Sequence, residues 1–208
     1  MHRRAILVLV VTGLLACAMS LPAQAAADRN KLLNDAGVYA TYAVFKVDHD
    51  WWKLEKELRV KATAEVKEVF QKHADVVALD TYLSRGLSEK ADFFVRAHAT
   101  EMIQNQNLFV DLMGTTLGKH LHNPHTFNGI TKKANYVPAF PDDLKAGLKA
   151  PSDAGPKTYA IVVPIRKDAE WWLTSEEGRR AMMMEHTAAA LTYLKTVKRK
   201  LYHSSGLD

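Results

Sequence analysis

Cysteine is almost missing from this chain: Cys17 is the only one, and it falls inside a segment that reads as a removable leader. A mature chain without cysteine has no disulfide, no thiolate nucleophile and no cysteine-ligated zinc. Long apolar runs are scarce too. The longest, "AILVLVVTGLLACAM", opens the chain and falls short of the ~20 residues a membrane helix needs. Basic residues form one block, Lys195–Lys200 ("KTVKRK"), and elsewhere alternate with acidic ones, so a net charge of +5 marks no nucleic-acid face. A 48% apolar, 25% charged composition is that of a folded globular protein.

What stands at the start is an export signal. "MHRR" is a positive beginning, the apolar stretch follows, and "AQA" (Ala23–Ala25) is a small-x-small cleavage site. This predicts residues 1–25 as a signal peptide cleaved near Ala25 and a periplasmic mature protein. "LLAC" loosely matches a lipoprotein box at Cys17, but the later site is better formed.

The rest of the chain is written twice. "VDHDWWKLEKELR" (Val47–Arg59) returns in "KDAEWWLTSEEGRR" (Lys167–Arg180), with Trp51 and Trp171 set 120 residues apart. Tyr39, Asp48, Arg59, Tyr82 and Gly86 meet Tyr159, Asp168, Arg179, Tyr202 and Gly206 at the same offset. A fixed spacing means two copies of one supersecondary unit.

In the first copy, Tyr39–Val47 has strand composition. Ala62–His73 places Ala62, Val66, Val69, Phe70 and His73 on one helical face. Strands follow at Val77–Leu83 and Asp92–Ala99, then a helix from a Thr100 cap to Gly118 and a strand near Phe127–Val137. That order, βαββαβ, is the ferredoxin-like unit, over residues 26–137. Residues 138–157, rich in Pro, Gly, Asp and Lys, read as a linker. The second copy, residues 158–208, offers a strand Tyr159–Lys167, a helix capped by Thr174 with Glu177, and a strand Val197–Ser205. Counterparts of Asp92–Val137 are missing, which predicts a truncated second repeat.

Chemistry is expected where one copy departs from the other. His186 stands where the first copy has Val66, and Val69 and Phe70 have shrunk to Ala189 and Ala190. A void of that size in a packed interior costs several kcal/mol unless something fills it, and an imidazole beside it suits a planar cofactor. Arg199 replaces Leu79 and Lys167 replaces Val47, both on inward faces by the strand pattern. A satisfied core histidine, a frayed strand and a snorkelling lysine are the plainer alternatives for the three. "KHLHNPH" gathers His120, His122 and His125, but Pro124 and Asn123 read as a loop, with nothing acidic adjacent to complete a metal site.

"EWWLTSEEGRRAMMMEH" followed by "KRKLYHSSGLD", with "YATYAVFKVDHDWW", "RGLSEKADFFVRAHA" and "KKANYVPAFP" earlier, resembles the chlorite dismutase family, in its longer exported branch. The resemblance implies an α+β fold, a dimeric α+β barrel of two ferredoxin-like repeats, the second incomplete here. It also implies a homo-oligomer, typically a pentamer. It makes His186 the axial ligand of the iron of a haem b and Arg199 the catalytic arginine on the opposite, distal side. Lys167 and Trp171 lie by the haem, Asn135 and Tyr136 near its propionates, and Leu201 in the apolar distal wall. The implied reaction turns chlorite into chloride and dioxygen through a ferryl haem and hypochlorite. It implies no nucleic-acid partner and no membrane span. A haem-binding or sensing barrel without chlorite activity, and a coprohaem decarboxylase, are the alternatives.

Overall fold

The computed structural model describes residues 27–133, 137–149 and 158–204. The leader lies outside them, as do Asn135 and Tyr136. The first copy folds as a βαββαβ unit. Strand β1 (Tyr39–Val47) alternates small and large residues, so Ala43 and Phe45 share one face while Tyr42 and Val44 share the other. It runs antiparallel to β3 (Phe93–Ala99) on one side and β4 (Leu121–Thr131) on the other, with β2 (Ala78–Leu83) outside β3. Strand β5 (Tyr202–His203) adds to the far edge through Ile130 and Thr131, giving the order β2-β3-β1-β4-β5. Thus the second copy hydrogen-bonds onto the first copy's sheet.

Helices α2 (Lys56–Lys72) and α3 (Met102–Gly114) cover one face of that sheet. Phe45, Val95, Leu112 and Leu121 form a buried cluster against which Val66, Val69 and Phe70 pack. Each such large apolar side chain, once buried, stabilises by roughly 1.5–3 kcal/mol. The opposite face is polar. Asp80, Arg96, His98 and Tyr42 stand there, Asp80 taking bonds from Arg96 and from Arg29 of α1 (Arg29–Asn34).

Several boundaries differ from the sequence reading. Helix α3 is capped by Glu101, whose capping box with Gln104 satisfies more donors than Thr100 does. The helix ends at Gly114. Gly118 then sits so close to the α3 end that a Cβ on it would lie 2.3 Å from the Leu112 carbonyl oxygen. Strand β4 begins at Leu121, not near Phe127, so "LHNPH" is strand. Between Lys46–His122 and Val44–His125 the ladder advances two residues on β1 and three on β4. That bulge houses Pro124, which has no N–H to give. The expected linker holds a helix, α4 (Asp142–Lys149).

In the second copy, α5 (Ala169–Leu173) and α6 (Glu176–Leu191) begin 120 residues after their first-copy counterparts, the short turn His49–Lys53 and α2. The cap of α6 is Ser175, whose Oγ accepts from Gly178 N at 3.1 Å. Thr174 instead closes α5. The expected strand Tyr159–Lys167 is not formed, and Tyr159, Ile161 and Ile165 are about four-fifths exposed. Alternation alone makes no strand without a neighbour to bond, and among the described residues nothing pairs with this segment. Likewise, of the expected strand Val197–Ser205, the described residues place only the two of β5 in a ladder, against Ile130 and Thr131 of β4. Among the described residues no helix is long and apolar enough to cross a membrane.

Candidate functional site

Helix α6 leans on α4, where Gly147 meets the Leu191 methyls. Its Thr187 is buried, while His186 next to it is exposed. Arg199 and Lys167 are exposed as well. All three were expected on core-facing positions. His186 is open because the first copy's sheet covers its counterpart Val66, whereas no strand among the described residues covers α6.

The structure does bring His186 and Arg199 together: Arg199 Nη1 lies 3.4 Å from His186 Nε2. A guanidinium only donates, so the contact is a hydrogen bond when Nε2 carries no proton, and it then occupies the same Nε2 lone pair that a metal would use. The two side chains are in direct contact in this structure.

The tryptophan pairs keep similar company in both copies. Lys167 Nζ lies 4.5 Å from the Trp171 ring centre and 5.5 Å from that of Trp172. In the first copy Arg85 stands 3.8 Å over Trp52. A cation over an indole face is attracted by the ring quadrupole. The difference lies in burial: Trp51 is enclosed beside His120, and Trp171 is only half-buried. Of the other histidines in "KHLHNPH", His122 pairs with Asp48 at 2.6 Å and His125 stacks on Phe127.

One contact that holds Arg199 in place was missed. Tyr202, three residues on, points its hydroxyl at the fully buried His98, with Oη 2.8 Å from Nε2. Tyr42 packs edge-on to the Tyr202 ring. Burial, helped by Arg96 and Lys200, pushes the His98 imidazole down to about 3, so it is neutral at any working pH. Burial and Tyr42 push the Tyr202 phenol up, so it keeps its proton. The backbone comes close here as well, since a Cβ on Gly129 would lie 3.0 Å from Tyr202 Cβ. The sequence signal was present in the alternation of Arg96, His98 and Tyr42 away from the helices, but the partner is 104 residues distant.

The chlorite dismutase family model matches residues 59–208, which include α6, Arg199 and Tyr202. The chain belongs to the chlorite dismutase family. It is 38% identical over 183 residues to the chlorite dismutase of Ideonella dechloratans, covering 87% of this chain and 64% of that one. A coproheme decarboxylase of Mycolicibacterium smegmatis is 32% identical over 133 residues, 59% of this chain and 51% of that one. The chain therefore spans about half to two-thirds of these curated relatives. A solved variant of the chlorite dismutase from Candidatus Nitrospira defluvii superposes with a TM-score of 0.84 at 49% identity, over 88% of this chain and 76% of that one. The same enzyme solved with imidazole gives a TM-score of 0.83 at 50% identity. These matches support the α+β, ferredoxin-like reading of the fold. Leu201 is exposed and shares a cleft with Arg199.

Proposed function

We propose that this protein binds a haem and converts chlorite into chloride and dioxygen, one anion in and one anion out. The observation that carries the reading is that His186 and Arg199 stand together, an exposed imidazole beside a guanidinium. Its support is the 38% identity to a protein named chlorite dismutase.

The residues suit a haem. His186 offers an exposed imidazole, and no carboxylate is paired with it among the described residues. Ala189 and Ala190 leave its helix face low on the neighbouring turn. A haem held by His186 through Nε2 would displace the Arg199 contact from that nitrogen. The haem, of the b type in our reading, supplies the redox chemistry that breaks the chlorine–oxygen bonds and joins the oxygens.

Everything else falls to the chain. His186 would hold the iron through Nε2. Arg199 stays cationic at every working pH, so it binds the anionic reactant and keeps oxidised chlorine species close until the reaction ends. By the family resemblance Lys167, Trp171 and Leu201 would line the haem site, and Asn135 and Tyr136, outside the described residues, are assigned to its carboxylates. The protein is exported to the periplasm after cleavage near Ala25 and works as a homo-oligomer, a pentamer in this reading.

The test is oxygen release from added chlorite by the haem-loaded protein, followed with an oxygen electrode. Stoichiometric dioxygen supports the reading. A protein that instead strips propionates from coprohaem under peroxide, as the name of the 32% relative suggests, contradicts it.

A further inference from the structure

A cleft of about 260 Å3 opens between the loop after α1, the end of β4 and the segment before β5. Lys132, Lys133, Lys198, Arg199 and Lys200 line it, against a single carboxylate, Asp35. Among the described residues none of the four lysines has an ion-pair partner. Neighbouring groups feel the field. Burial and then Lys198 and Arg96 lower the Lys200 ammonium below its ordinary range. Burial and then Lys132 and Lys167 lower His203. Uncompensated like charges gathered in one concavity cost folding energy, and an anion entering it relieves that cost.

We propose that this cleft is a docking site for small inorganic anions, which it concentrates beside Arg199. Arg199 forms part of its wall and also touches His186. An anion drawn into the cleft is thereby within reach of the guanidinium that faces the candidate iron ligand. The lysines act on arrival, and Arg199 acts on the reaction. That delivery role rests on the chlorite reading above, whereas binding itself does not. Steering of this kind is screened within about 10 Å at 0.1 M salt, so it shows as a salt-dependent encounter rate.

The test compares the wild type, a Lys133→Gln/Lys198→Gln double variant and Lys67→Gln, an exposed site on α2 far along the chain. Chloride is the binding probe, read by 35Cl linewidth on the purified protein, and chlorite is the kinetic probe. The double variant should lose the chloride broadening. Its kcat/KM for chlorite at low salt should fall about threefold to tenfold through KM, with a flatter salt dependence, while Lys67→Gln follows the wild type. Haem content and circular dichroism verify that the fold survives. Broadening equal in all three proteins overturns the site. So does a double variant whose haem content falls while its chloride broadening matches the wild type, since the lysines would then hold haem carboxylates. If no protein releases oxygen yet only the double variant loses broadening, the chlorite reading fails and the docking site stands.

Discussion

At the scale of single residues, Arg199 and His186 divide the work unequally. Arg199 touches His186 without being needed to hold a metal, so Arg199→Ala should keep its haem while dioxygen yield falls by at least about tenfold. Oxygen-electrode yield against haem absorbance, measured over the same turnover, decides this. A full yield would remove Arg199 from the reaction. His98 makes a different prediction. Folded, its imidazole stays neutral down to about pH 3, while in the unfolded chain it takes a proton near 6.5. Below 6.5 the unfolded state therefore binds a proton that the folded state refuses, so stability is whole above that pH and drains as the pH falls towards 3. The limiting slope is roughly 1.4 kcal/mol per pH unit. Urea midpoints at pH 7 and pH 5 should separate more for the wild type than for His98→Gln.

At the scale of elements, β5 and its Tyr202 decide where Arg199 stands. Tyr202→Phe deletes the hydroxyl facing His98 and leaves a buried ring nitrogen without a partner, a loss of about 1–3 kcal/mol. Equilibrium unfolding should show that loss, and dioxygen yield should drop while haem is retained, because the segment carrying Arg199 is no longer tied to β3. An unchanged yield would confine Tyr202 to stability. This element also shows what a sequence can reveal. The β1 and β3 boundaries follow from alternation because both strands are paired on both sides, so their burial pattern is complete. β4 was misplaced because Pro124 reads as a breaker and a bulge absorbs it. The α6 cap was read one residue early because Thr174 and Ser175 are equally good oxygens, and only the backbone turn chooses between them. Tyr159–Lys167 was read as a strand from its alternation, yet a strand needs a neighbour as well as a pattern. The Tyr202–His98 bond was invisible, since nothing local announces a contact spanning 104 residues.

At the scale of the whole molecule, α5 and α6 repeat the His49–Lys53 turn and α2 at a fixed offset, with different residues on the helix face. The offset of 120 residues that sets α6 after α2 was legible, and so were the substitutions that single out His186, Ala189 and Ala190. Their exposure was not legible, because it depends on what covers α6 rather than on α6 itself. Restoring the first copy's bulk should abolish the change: Ala190→Phe should leave helix content intact by circular dichroism and weaken haem binding about tenfold or more, measured by titration of the Soret band. The central claim is that His186 Nε2 is the iron ligand of a chlorite-consuming protein. The most direct measurement adds haemin and then chlorite to the wild type and to His186→Ala, recording the Soret band and dissolved oxygen together. The account predicts a shifted Soret band and oxygen release from the wild type and neither from the variant. The same band and the same oxygen from His186→Ala would contradict it.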